Sequence, residues 1–441
     1  MYRFHFSETA DVRNVAPGYV PVSDADLAEP PFKLEDLPHA AEPAPLWAQD
    51  LLLVARAAHI ADRIAARGAA PDRWSRTIEL SVPVLDLRRW TALAQNRLTL
   101  LLQTLTADDW RLTLRPSRRF ARGAQSSLDE WRAGEVCLYS GGLDSAAYVA
   151  ARAAAGERDG GGMPAPAHRP SRPGPLLPVM FVDGSLKAAQ LDVLRRASRG
   201  ARREVRLLPA SHTPLGVHES TSRSRGLLFA AFGVYAAAAH GCRTLAVPEN
   251  GLLALNPPLS PGRVAAASTR AVHPRTLDLL DATVAAVGGS VTVVNPFLHR
   301  TKGEVVRVAL DAGLRADDLA ATLGCARPPA KRGRPHHHCG RCHACLVRRA
   351  GLLAALGHDP TAYETDLPRL PLDGEQAVDL RAVLGWLRTP FTPADLVADL
   401  PIPAGYALGD LAAVVGRARE ELAAALGALL PDAAGPPVRR G

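Results

Sequence analysis

The stretch Val136-Cys137-Leu138-Tyr139-Ser140-Gly141-Gly142-Leu143-Asp144-Ser145, followed by the alanine-rich run Ala146 to Ala155, decides the fold. Its apolar start predicts a short buried strand, its glycines a tight turn, and the alanine run a helix. A strand that enters a helix through glycines leaves helix N-terminal amides facing a concavity, and unpaired N–H groups and the helix dipole both favour an anion there. Gly141 and Gly142 let the backbone close around oxygen atoms, while Ser140 and Ser145 add hydroxyl donors. Asp144 stands where a first-turn acid caps the helix or holds a metal ion. No Gly-Lys-Ser/Thr follows, so this is not a Walker A loop. The expected guest is a phosphate group.

Outward from this loop, apolar runs alternate with helical patterns. Strands are expected at Glu135 to Tyr139, Leu176 to Val182, Glu204 to Leu208, Thr244 to Pro248 and Val291 to Val294. Such alternation predicts an α/β fold with a doubly wound, parallel five-stranded sheet and ligands at the carboxyl ends of the strands. Residues Gly156 to Pro175, rich in Gly, Pro and Arg, read as an insertion after the first helix. Before residue 125 the pattern suggests a strand at Tyr2 to Phe6, a Pro-rich acidic stretch to Pro45, a helix at Leu46 to Arg67, a strand at Thr77 to Leu85 and a helix at Arg88 to Thr104. That region carries no chemical motif and reads as an α+β accessory domain, structural or partner-binding. Beyond Asp359 the chain is mostly helical, with apolar residues at helical spacing from Leu411 to Leu430 and a Pro-, Gly- and Arg-rich tail expected to fray. The divisions expected are 1–125, 130–310, 311–358 and 359–441.

At 441 residues the chain is long enough for two or three domains, and its net charge of +8 is modest and dispersed, with only four lysines: Lys33, Lys187, Lys302 and Lys331. Arg115-Pro116-Ser117-Arg118-Arg119 reads as a solvated face, and nucleic acid is not expected as a partner. The start lacks the apolar core of a signal peptide, and no run of about 20 uncharged apolar residues occurs, so a soluble cytoplasmic protein without membrane contact is expected.

Four of the six cysteines crowd between Cys325 and Cys345. Cys339-Gly340-Arg341-Cys342-His343-Ala344-Cys345 sets three thiols at successive two-residue gaps, and Cys325 supplies a fourth. Two sulfurs of a Cys-x-x-Cys turn can meet one ion, and four thiolates suit tetrahedral zinc. The expected ligands are Cys325, Cys339, Cys342 and Cys345, in a structural zinc site that pins a loop with little core of its own. An iron–sulfur cluster is the competing occupant, and His336, His337, His338 and His343 are further potential ligands.

The loop Ser-Gly-Gly-x-Asp-Ser resembles that of the PP-loop ATP pyrophosphatases, of HUP-type fold, which cleave ATP between the α- and β-phosphates and adenylate a substrate oxygen. Together with Thr301-Lys302-Gly303-Glu304-Val305-Val306, the cysteine cluster and Arg348, it resembles in kind and order the QueC family of 7-cyano-7-deazaguanine synthases, over roughly residues 133 to 352. That resemblance implies a zinc-bearing extension, and adenylation of 7-carboxy-7-deazaguanine followed by amide and then nitrile formation. It implies ATP, Mg2+ and Zn2+ as cofactors and a deazapurine substrate. Ser140, Gly141, Gly142, Leu143, Asp144 and Ser145 would hold ATP, and Asp144 and Lys302 would be catalytic, with Lys302 at the α-phosphate. Arg225 or Arg223 would neutralise phosphate charge. Glu249 and Asn250 would bind base edges or magnesium, and Arg270 substrate.

The chain departs from the family where Ser222-Arg223-Ser224-Arg225-Gly226 replaces an Arg-Asn pair, and where Pro248-Glu249-Asn250-Gly251 and Ser268 to Pro274 replace the usual base-recognition segments. Its added terminal regions look like those of QueC-like proteins of bacterial anti-phage systems, QatC of the Qat system among them. That likeness implies partner proteins of a defence operon and an amide formed on one of them. A sulfur-inserting tRNA-modifying enzyme and a non-catalytic zinc scaffold are the alternatives.

Overall fold

The computed structural model describes residues 1–7, 15, 17–23, 26, 44–117, 131–155, 174–210, 218–260 and 270–429. Most of the acidic stretch before Pro45, most of the 156–175 insertion, the division near residue 125, Arg118, Arg119, Ser268, Thr269 and the tail after Pro431 lie outside the described residues.

The central sheet is wholly parallel, in the order β7-β6-β5-β8-β9. Its strands are β5 (Glu135–Tyr139), β6 (Leu176–Phe181), β7 (Leu208–Ala210), β8 (Thr244–Ala246) and β9 (Thr292–Val294). The chain winds outward from β5 to β7 and then returns to β8, so the topological switch point lies between β5 and β8. A crevice opens there at the carboxyl ends. The third strand begins later than the sequence suggests. Val205 makes a single bridge to Leu176, whereas regular pairing resumes at Leu208 opposite Val179. Between them Pro178 has no N–H to offer the next rung, which interrupts the ladder.

Side chains alternate across the sheet. Cys137 and Tyr139 of β5 face a core built with α3 (Leu143–Ala154), α4 (Lys187–Ala197), α8 (Lys302–Asp311) and α9 (Ala316–Ala321). Val136 and Leu138 face the other side, where α5 (Arg225–Ala239) and α7 (Pro274–Ala286) lie. That second core is continuous with the N-terminal region, whose helices α1 (Leu46–Ile64) and α2 (Ala92–Thr106) pack on α5 and α7.

The N-terminal layer is an all-parallel sheet in the order β2-β1-β3-β4, formed by β1 (Tyr2–Ser7), β2 (Val20–Ser23), β3 (Thr77–Val84) and β4 (Asp109–Pro116). It is thus α/β in organisation where the sequence suggested α+β. Strands β2 and β4 escape sequence reading because each is partly exposed, so neither presents a sustained apolar run.

Downstream of α8, α10 (His343–Leu356) carries the chain into a helical unit of α11 (Val378–Arg388) and α12 (Leu408–Leu429). Their core also takes in α6 (Gly251–Leu255), the short helix after β8. None of the described helices is long and apolar enough to cross a membrane.

Buried charges join the N-terminal layer to the wound sheet. Arg76, wholly buried, meets Asp62 at 2.5 Å and Asp108 at 2.7 Å, and Arg67 meets Asp108 at 2.8 Å. Asp62 also accepts from the backbone N–H and hydroxyl of Ser224, which precedes α5. Removing one member of a buried pair leaves the other charge uncompensated, at about 3–5 kcal/mol. Asp108→Ala is therefore expected to lower unfolding free energy in chemical denaturation by about that amount; a loss below about 1 kcal/mol would contradict the network's role.

Candidate active site

The loop after β5 is a braced turn. Gly141 takes φ +77°, a conformation that L side chains rarely adopt, and a Cβ there would press on Gln190 and Leu323 at 3.2 and 3.3 Å. Ser140 Oγ accepts from the Gly142 N–H at 3.1 Å, and the Ser145 hydroxyl donates to the Gly142 carbonyl at 3.0 Å. Gln190 Nε2 donates to the carbonyl of Ser140 at 3.2 Å and to that of Phe181 at 3.1 Å. The Leu323 N–H donates to the Gly141 carbonyl at 2.8 Å. Gly142 caps α3 with no side chain, so the first-turn amides stay open to an anion.

Asp144 neither caps α3 nor faces outward. It is 5% exposed, and its carboxylate crosses the switch point. Oδ1 accepts from Lys302 Nζ at 2.6 Å, and Oδ2 accepts at 2.9 Å from both the backbone N–H and Nδ2 of Asn250. Asn250 Nδ2 also donates to Glu249 Oε1 at 2.8 Å, while Asn250 Oδ1 caps α6 through the Leu253 N–H. Lys302 Nζ lies 3.9 Å from Glu249 Oε1. Asp144, Glu249, Asn250 and Lys302 thus form one cluster beside the loop.

Electrostatics separate the two carboxylates. Burial raises the Asp144 pKa, but the Lys302 ammonium and hydrogen bonds from Glu249 and Asn250 outweigh it and hold the group at about 2. Glu249 is pushed well above the ordinary glutamate range by desolvation and by the Asp144 charge, with Lys302 opposing. One ammonium serves two acids, and Asp144 has the larger share.

Lys302 owes its position to a strong helix start. Thr301 accepts from the Glu304 N–H and Glu304 returns the bond to the Thr301 N–H, a capping box readable in Thr301-Lys302-Gly303-Glu304. Glu421 of α12 adds a further anchor, accepting from the Thr301 hydroxyl at 2.5 Å and the Gly303 N–H at 3.1 Å. Nothing in the pattern of α12 marks Glu421 out, and Gln190 is equally silent, because both act across long sequence separations.

The three expected arginines make other contacts. Arg270 is buried against Asp399, at 2.6 Å, and donates to the Thr104 carbonyl at 2.9 Å. This joins α2 to the segment before α12, and the structure does not bring Arg270 into the cluster. Arg225 opens α5 with its guanidinium over the Phe229 ring, 5.8 Å from the centroid. Arg223 lies over Trp74 at 4.1 Å and donates to the Thr106 carbonyl.

The sulfur atoms of Cys325, Cys339, Cys342 and Cys345 all lie within 4.8 Å of one another. Cys325 Sγ is 3.9 Å from Cys342 Sγ, and Cys339 Sγ is 4.0 Å from Cys345 Sγ. A tetrahedron with Zn–S bonds of about 2.3 Å has edges of about 3.8 Å, so the four thiols could hold one zinc ion; a multinuclear cluster would need them spread around its width. Backbone N–H groups of Arg327 and Cys339 donate to Cys325 Sγ, and that of Cys342 to Cys339 Sγ, as suits thiolates. His338 is not in this group. Its Nε2 lies 2.9 Å from the Thr322 carbonyl oxygen, and burial with the adjacent Arg348 charge lowers its pKa to about 3. The cluster is two residues from Leu323, so whatever holds the sulfurs also steadies the loop.

The model of the family described as "Queuosine biosynthesis protein QueC" matches residues 273–356, which include Lys302 and all four cysteines. A 7-cyano-7-deazaguanine synthase of Brucella anthropi is 32% identical over 145 residues, covering 32% of this chain and 53% of that enzyme. One of Thiobacillus denitrificans is 40% identical over 76 residues, 17% of this chain and 31% of the enzyme. One of Syntrophobacter fumaroxidans is 37% identical over 76 residues, 17% and 30% respectively. The chain thus spans about half or less of the curated relatives it matches. Fold and site define a wound α/β protein with a glycine turn and open helix N-terminal amides at the switch point of its sheet. Within that class the chain is QueC-like.

Two outcomes check this site. Lys302→Met is expected to destabilise the fold at pH 8 by about 3–5 kcal/mol. In the native protein the low Asp144 pKa contributes stability that is present above about pH 4 and lost as pH falls toward about 2. Without the ammonium, burial raises that pKa, so the deficit should narrow between pH 8 and 4 in parallel denaturation curves; a constant deficit would contradict the ion pair. Elemental analysis should find one zinc and no iron per chain, and Cys345→Ser should abolish the zinc; retained stoichiometric zinc in the variant would contradict the four-thiol assignment.

Proposed function

We propose that this chain is an ATP-dependent enzyme that adenylates a 7-deazaguanine-type carboxylate and passes the acyl group to an amine. The observation that carries the reading is the open amide cradle of Ser140 to Ser145 beside the buried Asp144–Lys302 pair, at the switch point of a QueC-like fold. The deazaguanine class comes from the relatives, which are 7-cyano-7-deazaguanine synthases.

In this mechanism the triphosphate lies on the loop amides with its α-phosphorus toward Lys302. A substrate carboxylate oxygen attacks that phosphorus, the bond to the β-phosphate oxygen breaks, and pyrophosphate leaves. The amine nitrogen then attacks the acyl carbon, the C–O bond to AMP breaks, and the amine proton is lost to solvent. Lys302 counters the charge that builds at phosphorus, and Asp144 and Asn250 fix where the ammonium sits. Glu249, partly exposed and short of positive charge, would hold Mg2+, which neutralises phosphate charge. The four cysteines would hold zinc in a closed structural site with no part in the chemistry.

The amine is ammonia or, in our reading, a group on a partner protein, with an anti-phage role following from the likeness in layout to QueC-like defence proteins. A second activation could carry the amide to a nitrile. The N-terminal layer and α12 pack directly on the wound sheet or its cluster, and in this reading they would present the acceptor.

With ATP and deazaguanine acids, the expected products are AMP and pyrophosphate, and Asp144→Asn is expected to lower kcat by about 10²–10³. Release of ADP, or no turnover with any such acid, would refute the reading.

A further inference from the structure

Away from the loop, the segment between Cys325 and Cys339 holds Arg327, Lys331, Arg332 and Arg334, charges with no role in the proposed chemistry. Arg332 and Arg334 converge with Arg341 on a single carboxylate, Glu364. Arg332 approaches it at 3.0 Å and Arg341 at 3.3 Å, with Arg334 bonded to its other oxygen. These groups line a cleft of about 430 Å³ with Arg369 and Asp366, so four arginines face two carboxylates, a surplus of two positive charges. None of Ser140 to Ser145, Glu249, Asn250 or Lys302 lines it.

Three guanidiniums around one carboxylate repel one another, and each keeps donors that Glu364 cannot occupy. Arg341 is the deepest, its side chain 16% exposed, and its Nε is buried with no hydrogen-bond partner. Such a group costs free energy unless something accepts from it. The cleft is also rigidly held. Arg341 sits within the Cys339–Cys342 turn, and the N–H groups of Glu364 and Thr365 donate to the carbonyls of His338 and Cys339 at 2.9 and 3.2 Å.

We propose that this cleft on the cysteine-bearing extension is a second anion site, distinct from the Ser140–Ser145 cradle, that takes a compact polyphosphate. Guanidinium forks match phosphate oxygens in pairs, and a cluster of them suits several oxygens held close together. Among the described residues the lining contains no aromatic ring on which a base could stack, and it is a single concavity rather than a track, which favours a small anion over a nucleic-acid strand. Lys331, next to Arg332, pairs with Asp183 just beyond β6, so the segment that holds the anion also touches the ligand-binding edge of the sheet.

Calorimetric titration of the full chain with inorganic pyrophosphate tests this, with Arg332→Gln/Arg334→Gln, Ser145→Ala and Glu364→Gln variants alongside. Arg332 and Arg334 are exposed enough to change without unfolding the chain, and thermal melts check that. Two binding events are expected in the native protein. The double variant should weaken one by about tenfold or more and keep the other. Ser145→Ala should do the reverse, and Glu364→Gln, which removes the resident anion, should tighten the cleft event. Competition by ATP identifies a nucleotide's phosphate chain as the source, and failure to compete identifies free pyrophosphate; both support the site. An unchanged isotherm in the double variant would overturn it, as would tighter binding of single-stranded RNA or a glutamate-rich peptide than of pyrophosphate through the same arginines.

Discussion

A single buried contact, Lys302 Nζ to Asp144 Oδ1 at 2.6 Å, holds together the elements that surround the candidate site. It joins the first turn of α3 to the first residue of α8 across the switch point, and Asn250 draws the start of α6 onto the same carboxylate. Three helices therefore begin at one place. Burying two charges is costly, and the cost is tolerable only because the remaining acceptor positions of Asp144 are filled. The lysine stem has room because Gly351 lies beside it, where a Cβ would come within 2.5 Å of Lys302 Cγ.

Neighbouring regions act on that contact from three sides. α12 places Glu421 on the Thr301–Gly303 turn, in space that a Cβ at Gly303 would contest at 2.5 Å. The cysteine-bearing segment reaches the glycine loop through Leu323 and Gly141. The N-terminal layer fixes the start of α5 through Asp62 and Ser224. The terminal regions are thus bonded into the frame of the wound sheet and into the supports of its cluster, which is why a substitution in α12 could be felt at Lys302.

The sequence made the local motifs legible and left the long-range ones hidden. Ser140 to Ser145, the Thr301–Glu304 capping box and the cysteine spacing each encode a structure within a few residues, and each is found where its spacing implies. The start of β7 cannot be read from its own residues because the deciding one, Pro178, lies on the neighbouring strand. Arg270 looked like a ligand contact because Asp399, its partner, is far along the chain. Asp144 stands where a first-turn acid caps the helix or holds a metal ion, and its bonds to Lys302 and Asn250 cannot be read locally because both partners lie far along the chain.

In the proposed reaction a carboxylate oxygen attacks the α-phosphorus of ATP at this cluster, and an isotope label follows that oxygen directly. With a deazaguanine acid carrying oxygen-18 in its carboxylate, one labelled oxygen should appear in the phosphate of the AMP released. AMP formed without label, or label found in inorganic phosphate, would contradict the account.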